Sequence, residues 1–470
     1  MRRFRGAAME MASFPCDWPL MSRPLAAVIL AAGKGTRMKS DLHKVLHPIA
    51  GRPMIEHLLD SVEALGAERV VVVVGDRREQ LEKSLAGRGV RFAVQEPQLG
   101  TGHAVLQAKE ALAGFEGDVL LLSGDVPFIR PVTMRAMLDA LHGAADPAAV
   151  VLGFRPPDAA AYGRVVAGPD GRVAKIVELR DANDEERAIG LCNSNLFAVR
   201  SGDLWTLIEG VGNDNSQKEY YLTDIVAIGA AAGRATLLIE GDAAEAIGPN
   251  SRAEFALAEA AWQQRRRSEA MAEGATLIAP ETVWFAFDTR LGRDVTIEPN
   301  VFFGPGVSIA DGVRIRAFSH IEGAAIAAGA EIGPYARLRP GTVIGEKAKV
   351  GNFVETKKAT LGPGAKASHL TYLGDTEVGA GANIGAGTIT CNYDGYFKYG
   401  TVIGEGAFIG SNSALVAPVS IGAGAIVGAG SVVTRDVEAD SLALARGTQE
   451  VKPGWARRFR EAMLAKKKAG

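Results

Sequence analysis

A glycine-rich segment near the start of the chain carries residues that could bind phosphate. Residues 30 to 38 read L-A-A-G-K-G-T-R-M, and Lys44 lies seven positions after Arg37. Backbone N–H groups in such a turn can hold phosphate oxygens, which nearby cations neutralise. The segment lacks the spacing of a Walker loop and the third glycine of a dinucleotide fingerprint. On its own, the G-x-G pattern fits a plain tight turn as well.

A second polar group lies in the last third of the chain. Arg339 precedes Pro-Gly, Lys357 ends the segment G-N-F-V-E-T-K from Gly351, and His369 begins H-L-T-Y. Imidazole titrates near neutral pH and can exchange protons there. A lone histidine is more often structural than catalytic, so His369 by itself does not establish a site. Cys391 between Thr390 and Asn392 is predicted to be a small buried residue and not a nucleophile.

The first polar segment follows a strand of a predicted α/β domain. Apolar runs at 26–31, 70–74 and 119–122 alternate with helical patterns, which predicts a mostly parallel, Rossmann-like sheet covered by helices. Ligands bind such sheets beyond the carboxyl ends of the strands. The glycine turn after residue 31 is therefore where chemistry is expected.

The second polar group interrupts a six-residue hydrophobic repeat. An aliphatic or aromatic residue recurs every six positions from Leu291 to Ile321, from Ile326 to Val350, and again from Ile403 to Val433. Neither the helical period of 3.6 nor strand alternation produces this pattern, whereas a hexapeptide β-helix does. The repeat predicts a left-handed parallel β-helix with one inward side chain per short strand.

These patterns divide the chain into five parts. Ser251 and Glu254 form a capping box ahead of a linker helix, whose Arg265, Arg266 and Arg267 are predicted to lie on a solvated face. The first part is a flexible extension or a misassigned start, with a mitochondrial-type targeting segment less favoured. The predicted parts are the extension 1–23, the α/β domain 24–248, the linker helix 249–273, the β-helix 274–450 and a basic tail 451–470.

Composition excludes several classes of partner. A net charge of -2 gives no bulk attraction to nucleic acid or anionic lipid. The three cysteines, Cys16, Cys192 and Cys391, form no C-x-x-C pair, which favours a reducing compartment and a cytoplasmic protein. The uncharged stretch from Gly406 to Thr434 is long enough to cross a bilayer, but its glycine-rich hexads predict a β-helix and no membrane span.

Four segments of the N-terminal half resemble a known family. L-A-A-G-K-G-T-R-M with Lys44 is similar to the signature of sugar-1-phosphate nucleotidyltransferases. The segments starting at Gln95 (Q-E-P-Q-L-G-T-G-H), Ser123 (S-G-D-V-P) and Tyr162 (Y-G-R), with Glu178 and Asn193 after the last, resemble the bifunctional N-acetylglucosamine-1-phosphate uridyltransferase/glucosamine-1-phosphate N-acetyltransferases. The resemblance covers residues 24 to 450.

The resemblance implies roles for residues of the first site. UTP and N-acetylglucosamine 1-phosphate would contact Leu30, Gly33, Lys44, Gln95, Gly100, Thr101, Gly163, Glu178, Asn193 and Asn250, with Gln95, Gly100 and Thr101 at the uracil. Arg37 and Lys44 would face the triphosphate, and Asp125 with Asn250 would bind Mg²⁺, a cation that takes few protein oxygens. Asn195 departs from the family, which has glycine there.

The same resemblance implies an acetyltransferase site in the β-helix. His369 would be the general base that deprotonates the amine of glucosamine 1-phosphate, and Glu355 could orient it. The sugar phosphate would contact Arg339, Lys357, Tyr372, Asn383 and Lys398, while acetyl-coenzyme A would contact Asn392, Tyr393, Ser411, Ala429 and Arg446. Related acyltransferases form trimers, so a homotrimer is expected. Gly400 replaces a lysine of the family pattern K-x-K-T.

Two other functions stay open from the sequence. The β-helix could be an oligomerisation domain on a nucleotidyltransferase that uses glucose 1-phosphate with ATP or dTTP, although the segments around His369 and Asn392 argue against it. The chain could also be a non-enzymatic scaffold or exchange-factor subunit. The presence of Arg37, Lys44 and Asp125 argues against that alternative.

Overall fold

The computed structural model describes residues 23–159 and 162–469, which form two compact units that divide between Ala261 and Trp262. The predicted extension 1–23 lies outside the described residues except for Arg23. Both halves have the architecture that the sequence predicts. No helix in the described part of the chain combines the length and apolar character needed to cross a bilayer.

The first unit is built on a sheet of nine strands. Its centre is Leu25–Ala31, which pairs in parallel with Arg69–Val74 on one side and Asp118–Ser123 on the other. The three runs predicted from the sequence are these strands, and their side chains are almost fully buried because both faces are covered. In spatial order the strands are Arg91–Val94, Arg69–Val74, Leu25–Ala31, Asp118–Ser123, Cys192–Arg200, Ala149–Phe154, Thr236–Gly241, Arg172–Val177 and Arg164–Ala167.

Amphipathic helices cover this sheet. In Met54–Ala64, for example, Ile55, Leu58, Leu59 and Val62 are buried at helical spacing. A small hairpin pairs Pro48–Ile49 with Arg52–Pro53. The α-helices of the unit are Met54–Ala64, Arg78–Ser84, Thr101–Gln107, Pro131–Leu141, Asp184–Arg187, Ser201–Glu209, Ile225–Ala231 and Ala243–Ala246, and the 3-10 turns are Thr36–Met38, Lys44–Leu46 and Leu222–Asp224.

The linker helix runs over Arg252–Ala272, and both residues of the predicted capping box contribute to its start, although the Glu254 carboxylate accepts from the Asn250 N–H and not from the Ser251 N–H. The Ser251 hydroxyl accepts from the Glu254 N–H at 3.2 Å, and the Glu254 carboxylate accepts from the Asn250 N–H at 2.9 Å. The prediction of a solvated arginine face was wrong for Arg267, which is buried. Its guanidinium donates to the Val283 carbonyl at 2.9 Å and lies over the Trp284 ring, so packing within the second unit decides its place.

The second unit is a parallel β-helix built from the predicted hexads, as expected for the left-handed hexapeptide fold. Ile297 pairs with Ile315, 18 positions later, so one coil consists of three hexads. After the five-residue step at Ile326 the spacing falls to 17, as between Ile315 and Ile332. Every residue of the repeat except the half-buried Leu291 is buried, so the interior is a stack of aliphatic rungs.

The strands of the β-helix form two sheets. The first contains Thr276–Leu277, Thr296–Ile297, Arg314–Ile315, Glu331–Ile332, Lys349–Asn352, Lys366–His369, Asn383–Ile384, Phe408–Ile409, Ile426–Val427 and Leu442–Ala443. The second contains Arg290–Leu291, Phe302–Phe303, Ser308–Ile309, His320–Ile321, Ala324–Ile326, Arg337–Leu338, Thr342–Ile344, Glu355–Leu361, Tyr372–Val378, Ile389–Cys391, Thr401–Ile403, Ala414–Val416, Val419–Ile421 and Val432–Val433. A 3-10 turn, Pro280–Thr282, and the helix Trp455–Ala469 complete the unit.

Candidate active sites

A cavity of about 620 Å³ opens at the carboxyl ends of Leu25–Ala31 and Asp118–Ser123. Nine of the residues predicted to bind nucleotide, sugar or metal line it, although they come from four separate parts of the sequence. They are Leu30, Gly33, Arg37, Lys44, Gln95, Gly100, Thr101, Asp125 and Asn250. The structure therefore brings together most of the predicted first site.

The glycine turn needs glycine at position 35. Gly35 has a φ of 59°, in the left-handed region that favours glycine, and a Cβ there would come within 2.7 Å of the Lys44 Cβ. The stem of Lys44 therefore runs directly against the turn. Its backbone is fixed in the 3-10 turn Lys44–Leu46, where Val45 and Leu46 are buried.

The Lys44 ammonium donates to Asp125 and to Asn250 Oδ1, the latter at 2.7 Å. The Ser123 hydroxyl donates to the other oxygen of Asp125 at 2.8 Å. Burial raises the pKa of Asp125, but Lys44 and the Ser123 hydroxyl together lower it by more than burial raises it. The pKa of this carboxyl is therefore below its usual value. Three side chains that are far apart in sequence thus form one charged cluster at the predicted metal position.

The segment predicted to recognise uracil is held against a distant loop. Gly100 has a φ of 111°, and a Cβ there would lie 2.6 Å from the Tyr220 carbonyl oxygen. The Thr101 hydroxyl accepts from the Leu222 N–H at 2.9 Å, and Gln95 Nε2 donates to the Gly100 carbonyl at 2.8 Å. Gly100 is thus fixed by both conformation and contact.

The three predicted sugar-binding residues lie together beside this cavity and do not line it. The Asn193 N–H donates to the Gly163 carbonyl at 2.9 Å, and a Cβ on Gly163 would lie 3.4 Å from Glu178 Oε1. Asn193 Nδ2 donates at 2.8 Å to Oδ1 of Asn195, which does line the cavity. Burial raises the pKa of Glu178, and the charges of Asp181, Asp224 and Glu219 raise it further.

Asn195 occupies the position where the resemblance predicts glycine. Its φ is 60°, in the left-handed region, which asparagine adopts at lower cost than most residues. Its N–H donates to Asn193 Oδ1 at 3.0 Å, so each asparagine holds the other. This departure from the family pattern therefore preserves the backbone conformation of glycine.

Sequence reasoning missed several residues of the first site. Gln98 lines the cavity and donates to the Ala32 carbonyl at 2.6 Å, Glu219 enters from the loop that contacts Gly100, and His43 lies beside Lys44. Gln98 lies within the segment Q-E-P-Q-L-G-T-G-H, so its place at the site could have been predicted from that motif. The sequence gives no signal for Glu219, whose place depends on folding.

In the second unit, the predicted phosphate-binding cations lie close together. The ammonium of Lys398 lowers the pKa of Lys357, and Arg339 adds to that effect while Asp375 opposes it. Arg339 is held by Glu355, whose Oε1 accepts at 2.9 Å. The structure thus forms a cationic cluster from residues that are up to 59 positions apart, a region suited to an anionic group.

His369 ends the strand Lys366–His369 and is exposed. The expectation that Glu355 orients this histidine was wrong, because Glu355 is paired with Arg339 instead. The imidazole Nδ1 is hydrogen-bonded to Oδ1 of Asn352, the residue opposite it on the adjacent strand. Since an amide oxygen only accepts, Nδ1 is the donor of this hydrogen bond, and in the neutral tautomer Nε2 is then the nitrogen that can accept a proton.

Other predicted acetyltransferase residues line up on neighbouring coils. A Cβ on Gly374 would lie 2.4 Å from the Tyr372 hydroxyl and 2.7 Å from Asn392 Nδ2, so these two side chains meet there. Asn383 begins the strand Asn383–Ile384, which pairs with the strand that ends at His369. Tyr393 is exposed, and its hydroxyl donates to the Gly395 carbonyl at 2.5 Å.

The predicted coenzyme-binding residues stack on successive coils. The Ser411 carbonyl accepts from the Gly430 N–H at 2.8 Å, and the Ala429 carbonyl accepts from the Arg446 guanidinium at 2.7 Å. Cys391, predicted to be buried, is only half-buried because it lies at the end of its strand, whereas Cys192 is buried. Gly400 follows Tyr399, whose hydroxyl donates to Asp394 at 3.0 Å.

Comparison with known proteins gives matches to both halves. The family model of the MobA-like NTP transferase domain matches residues 27–189, and that of the bacterial transferase hexapeptide (six repeats) matches residues 288–323 and 400–435. A solved structure of UDP-glucose pyrophosphorylase complexed with UDP-glucose covers 52% of this chain and 100% of its own, with 19% identity and a TM-score of 0.42.

Curated relatives match along nearly the whole chain. The bifunctional protein GlmU of Sphingopyxis alaskensis is 67% identical over 96% of this chain and 99% of its own length. The proteins of the same name from Novosphingobium aromaticivorans and Rhodospirillum rubrum are 67% and 61% identical, over 95% and 93% of this chain and 99% and 98% of their own lengths.

Proposed function

The chain belongs to the family of bifunctional GlmU proteins, and on that premise we propose how its own residues carry out acetyl transfer and uridylyl transfer in the synthesis of UDP-N-acetylglucosamine. The first reaction makes N-acetylglucosamine 1-phosphate from glucosamine 1-phosphate and acetyl-coenzyme A. The second couples that product to UMP from UTP and releases pyrophosphate. Each reaction has its own site.

In acetyl transfer, His369 is the general base. Its Nε2 takes a proton from the substrate amine as the nitrogen attacks the thioester carbonyl, and the coenzyme leaves as the thiol. Asn352 accepts from Nδ1 and so orients the ring with Nε2 as the nitrogen that takes the proton. The cationic cluster of Arg339, Lys357 and Lys398 binds the phosphate of the sugar, which places the amine at the base.

Acetyl-coenzyme A is proposed to bind along the stacked coils. Ser411, Ala429 and Arg446 follow one another across three coils, each shortly after a strand of the sheet that also contains Lys366–His369. Tyr372, Asn383, Asn392 and Tyr393 complete the site. Because related acyltransferases share their sites between neighbouring chains, we propose a homotrimer. The unpaired cysteines and these substrates favour the cytoplasm.

In uridylyl transfer, the sugar phosphate attacks the α-phosphate of UTP in the cavity of the first unit. Gln95, Gly100 and Thr101 bind the base, while Gly163, Glu178 and Asn193 hold the amino sugar. Arg37 and the N–H groups of the glycine turn face the triphosphate and offset its negative charge. Both substrates are anions, so these contacts are what allow them to approach.

The donor set at Asp125 and Asn250 fits Mg²⁺. Their oxygens converge on one position, which a cation, the Lys44 ammonium, already contacts. Mg²⁺ is usually held by one or two carboxylates together with substrate phosphates and water, which matches a site with one carboxylate and one amide oxygen. When bound, Mg²⁺ neutralises charge on the triphosphate and on the departing pyrophosphate.

The observation that carries the proposal is the presence of two unlike polar sites on two unlike folds. The purified protein should release free thiol from acetyl-coenzyme A with glucosamine 1-phosphate, and pyrophosphate from UTP with N-acetylglucosamine 1-phosphate. Replacing the second pair by glucose 1-phosphate with ATP or dTTP should abolish pyrophosphate release. A preparation that turns over only the glucose 1-phosphate pair, or none of them, would contradict the proposal.

A further inference from the structure

Lys44 occupies the place that the proposed metal would take. Its ammonium is within hydrogen-bonding distance of both Asp125 and Asn250, and its side chain is 10% exposed. Mg²⁺ binds oxygen ligands at about 2.0–2.1 Å, and two cations that compete for the same two oxygens repel each other strongly. In this arrangement, metal and ammonium exclude each other.

We propose that Lys44 is a resident cation that keeps the metal position closed until nucleotide arrives. This inference rests on the proposed uridylyl transfer. A triphosphate in the cavity would offer the ammonium new acceptors, which would leave Asp125 and Asn250 available to hold the metal. The protein therefore binds metal together with UTP, and binds it poorly beforehand.

The fold around Lys44 suits such an exchange. The backbone at Lys44 is fixed, because the following Val45 and Leu46 are buried, so only the long side chain has to move. The Lys44 stem lies against Gly35, and because glycine has no Cβ the stem can approach the glycine turn closely. An ammonium that leaves Asp125 therefore stays within reach of the glycine turn, where the triphosphate is proposed to bind.

Exchange of one cation for another also preserves the local charge balance. With Lys44 in place, the partly buried Asp125 carboxylate is never left without a positive partner. A buried carboxylate without such a partner is costly. The lysine thus stabilises the free protein and contacts the triphosphate in the complex, which reconciles its position here with the predicted role at UTP.

The test is Mn²⁺ binding to the full-length protein without nucleotide, followed by the paramagnetic resonance signal of the free ion. Lys44→Met, which removes the charge, is expected to bind Mn²⁺ at the site at least tenfold more tightly than the unchanged protein. Lys44→Gln, which keeps a donor for Asp125, is expected to do the same if Lys44→Met unfolds. Lys34→Met, in the lining of the same cavity, should bind Mn²⁺ like the unchanged protein.

Two further measurements make the outcome decisive. Adding Asp125→Asn to Lys44→Met should remove the gained affinity, which locates the site. Calorimetric titration of the unchanged protein with Mn²⁺–UTP should show binding. If Mn²⁺–UTP binds but neither Lys44 variant binds free Mn²⁺ more tightly, the resident-cation proposal is overturned; if Mn²⁺–UTP does not bind at all, the proposed metal-dependent uridylyl transfer fails instead.

Discussion

The contact between Asn352 and His369 gives the sharpest test of the proposed acetyl transfer. Asn352→Ala removes the amide oxygen that accepts from Nδ1, so the ring can rotate or move its proton to Nε2, where it cannot act as a base. The net value of such a hydrogen bond is about 0.5–1.5 kcal/mol, and because His369 is exposed, water replaces part of it. Each 1.36 kcal/mol corresponds to about a tenfold change in rate.

We therefore expect kcat for thiol release to fall by about two- to tenfold in Asn352→Ala, with little change in the KM for glucosamine 1-phosphate. The cationic cluster, which binds the phosphate, is unchanged in this variant. Asn352→Asp keeps an acceptor oxygen and should retain most of the activity. Pyrophosphate release serves as the internal control, since the first unit is not altered.

The assay is a continuous thiol measurement on both variants and the unchanged protein, with pyrophosphate release measured on the same preparations. A kcat for Asn352→Ala within twofold of the unchanged protein would refute the positioning role of Asn352. Equal losses of thiol and pyrophosphate release would indicate damage to the whole fold instead. A change in KM alone would assign Asn352 to substrate binding.

Two predictions concern stability in the first unit. Burial lowers the pKa of His43 to about 4; Asp76 opposes this shift, while Arg77 and Lys44 add to it. Because the pKa of this histidine is higher in the unfolded chain, the unfolded chain takes up the proton first as the pH falls through 6.5, which favours unfolding. The free energy of unfolding is therefore expected to decline by at most about 3 kcal/mol between pH 6.5 and 4. Urea unfolding of His43→Asn over the same pH range should show a smaller decline. An equal decline in the variant and the unchanged protein would contradict this prediction. Asn195→Ala places alanine at a φ of 60° and removes the hydrogen bond from Asn193, so thermal unfolding should show this variant to be less stable than the unchanged protein by about 1–2 kcal/mol. Asn195→Gly avoids the backbone strain and should be more stable than Asn195→Ala. Equal stability of the two variants would argue against this prediction.

The repeating parts of the fold were predictable because their signals are local. A hydrophobic residue at every sixth position, as at Ile297 and Ile315, is sufficient to predict the coil, and the structure pairs these two residues. The strand before the glycine turn was equally clear, since it is a short buried run. Both patterns are properties of neighbouring residues and need no knowledge of distant ones.

Contacts between distant segments were not predictable from the sequence. Lys44 and Asn250 are 206 positions apart, and their hydrogen bond depends on the folding of the whole first unit. Asn352 faces His369 only because parallel strands pair at a spacing of 17 there, and the sequence alone points to Glu355 instead. The sequence predicts a surface cation at Arg267, because nothing in its own helix reveals the Val283 carbonyl that it contacts.

The central claim is that two independent sites share this chain, and reciprocal inactivation measures it most directly. Thiol and pyrophosphate release should be recorded on the same preparations of His369→Ala and Asp125→Ala. The first variant is expected to lose thiol release and keep pyrophosphate release, and the second to do the opposite. Parallel loss of both products in both variants would contradict two separate sites.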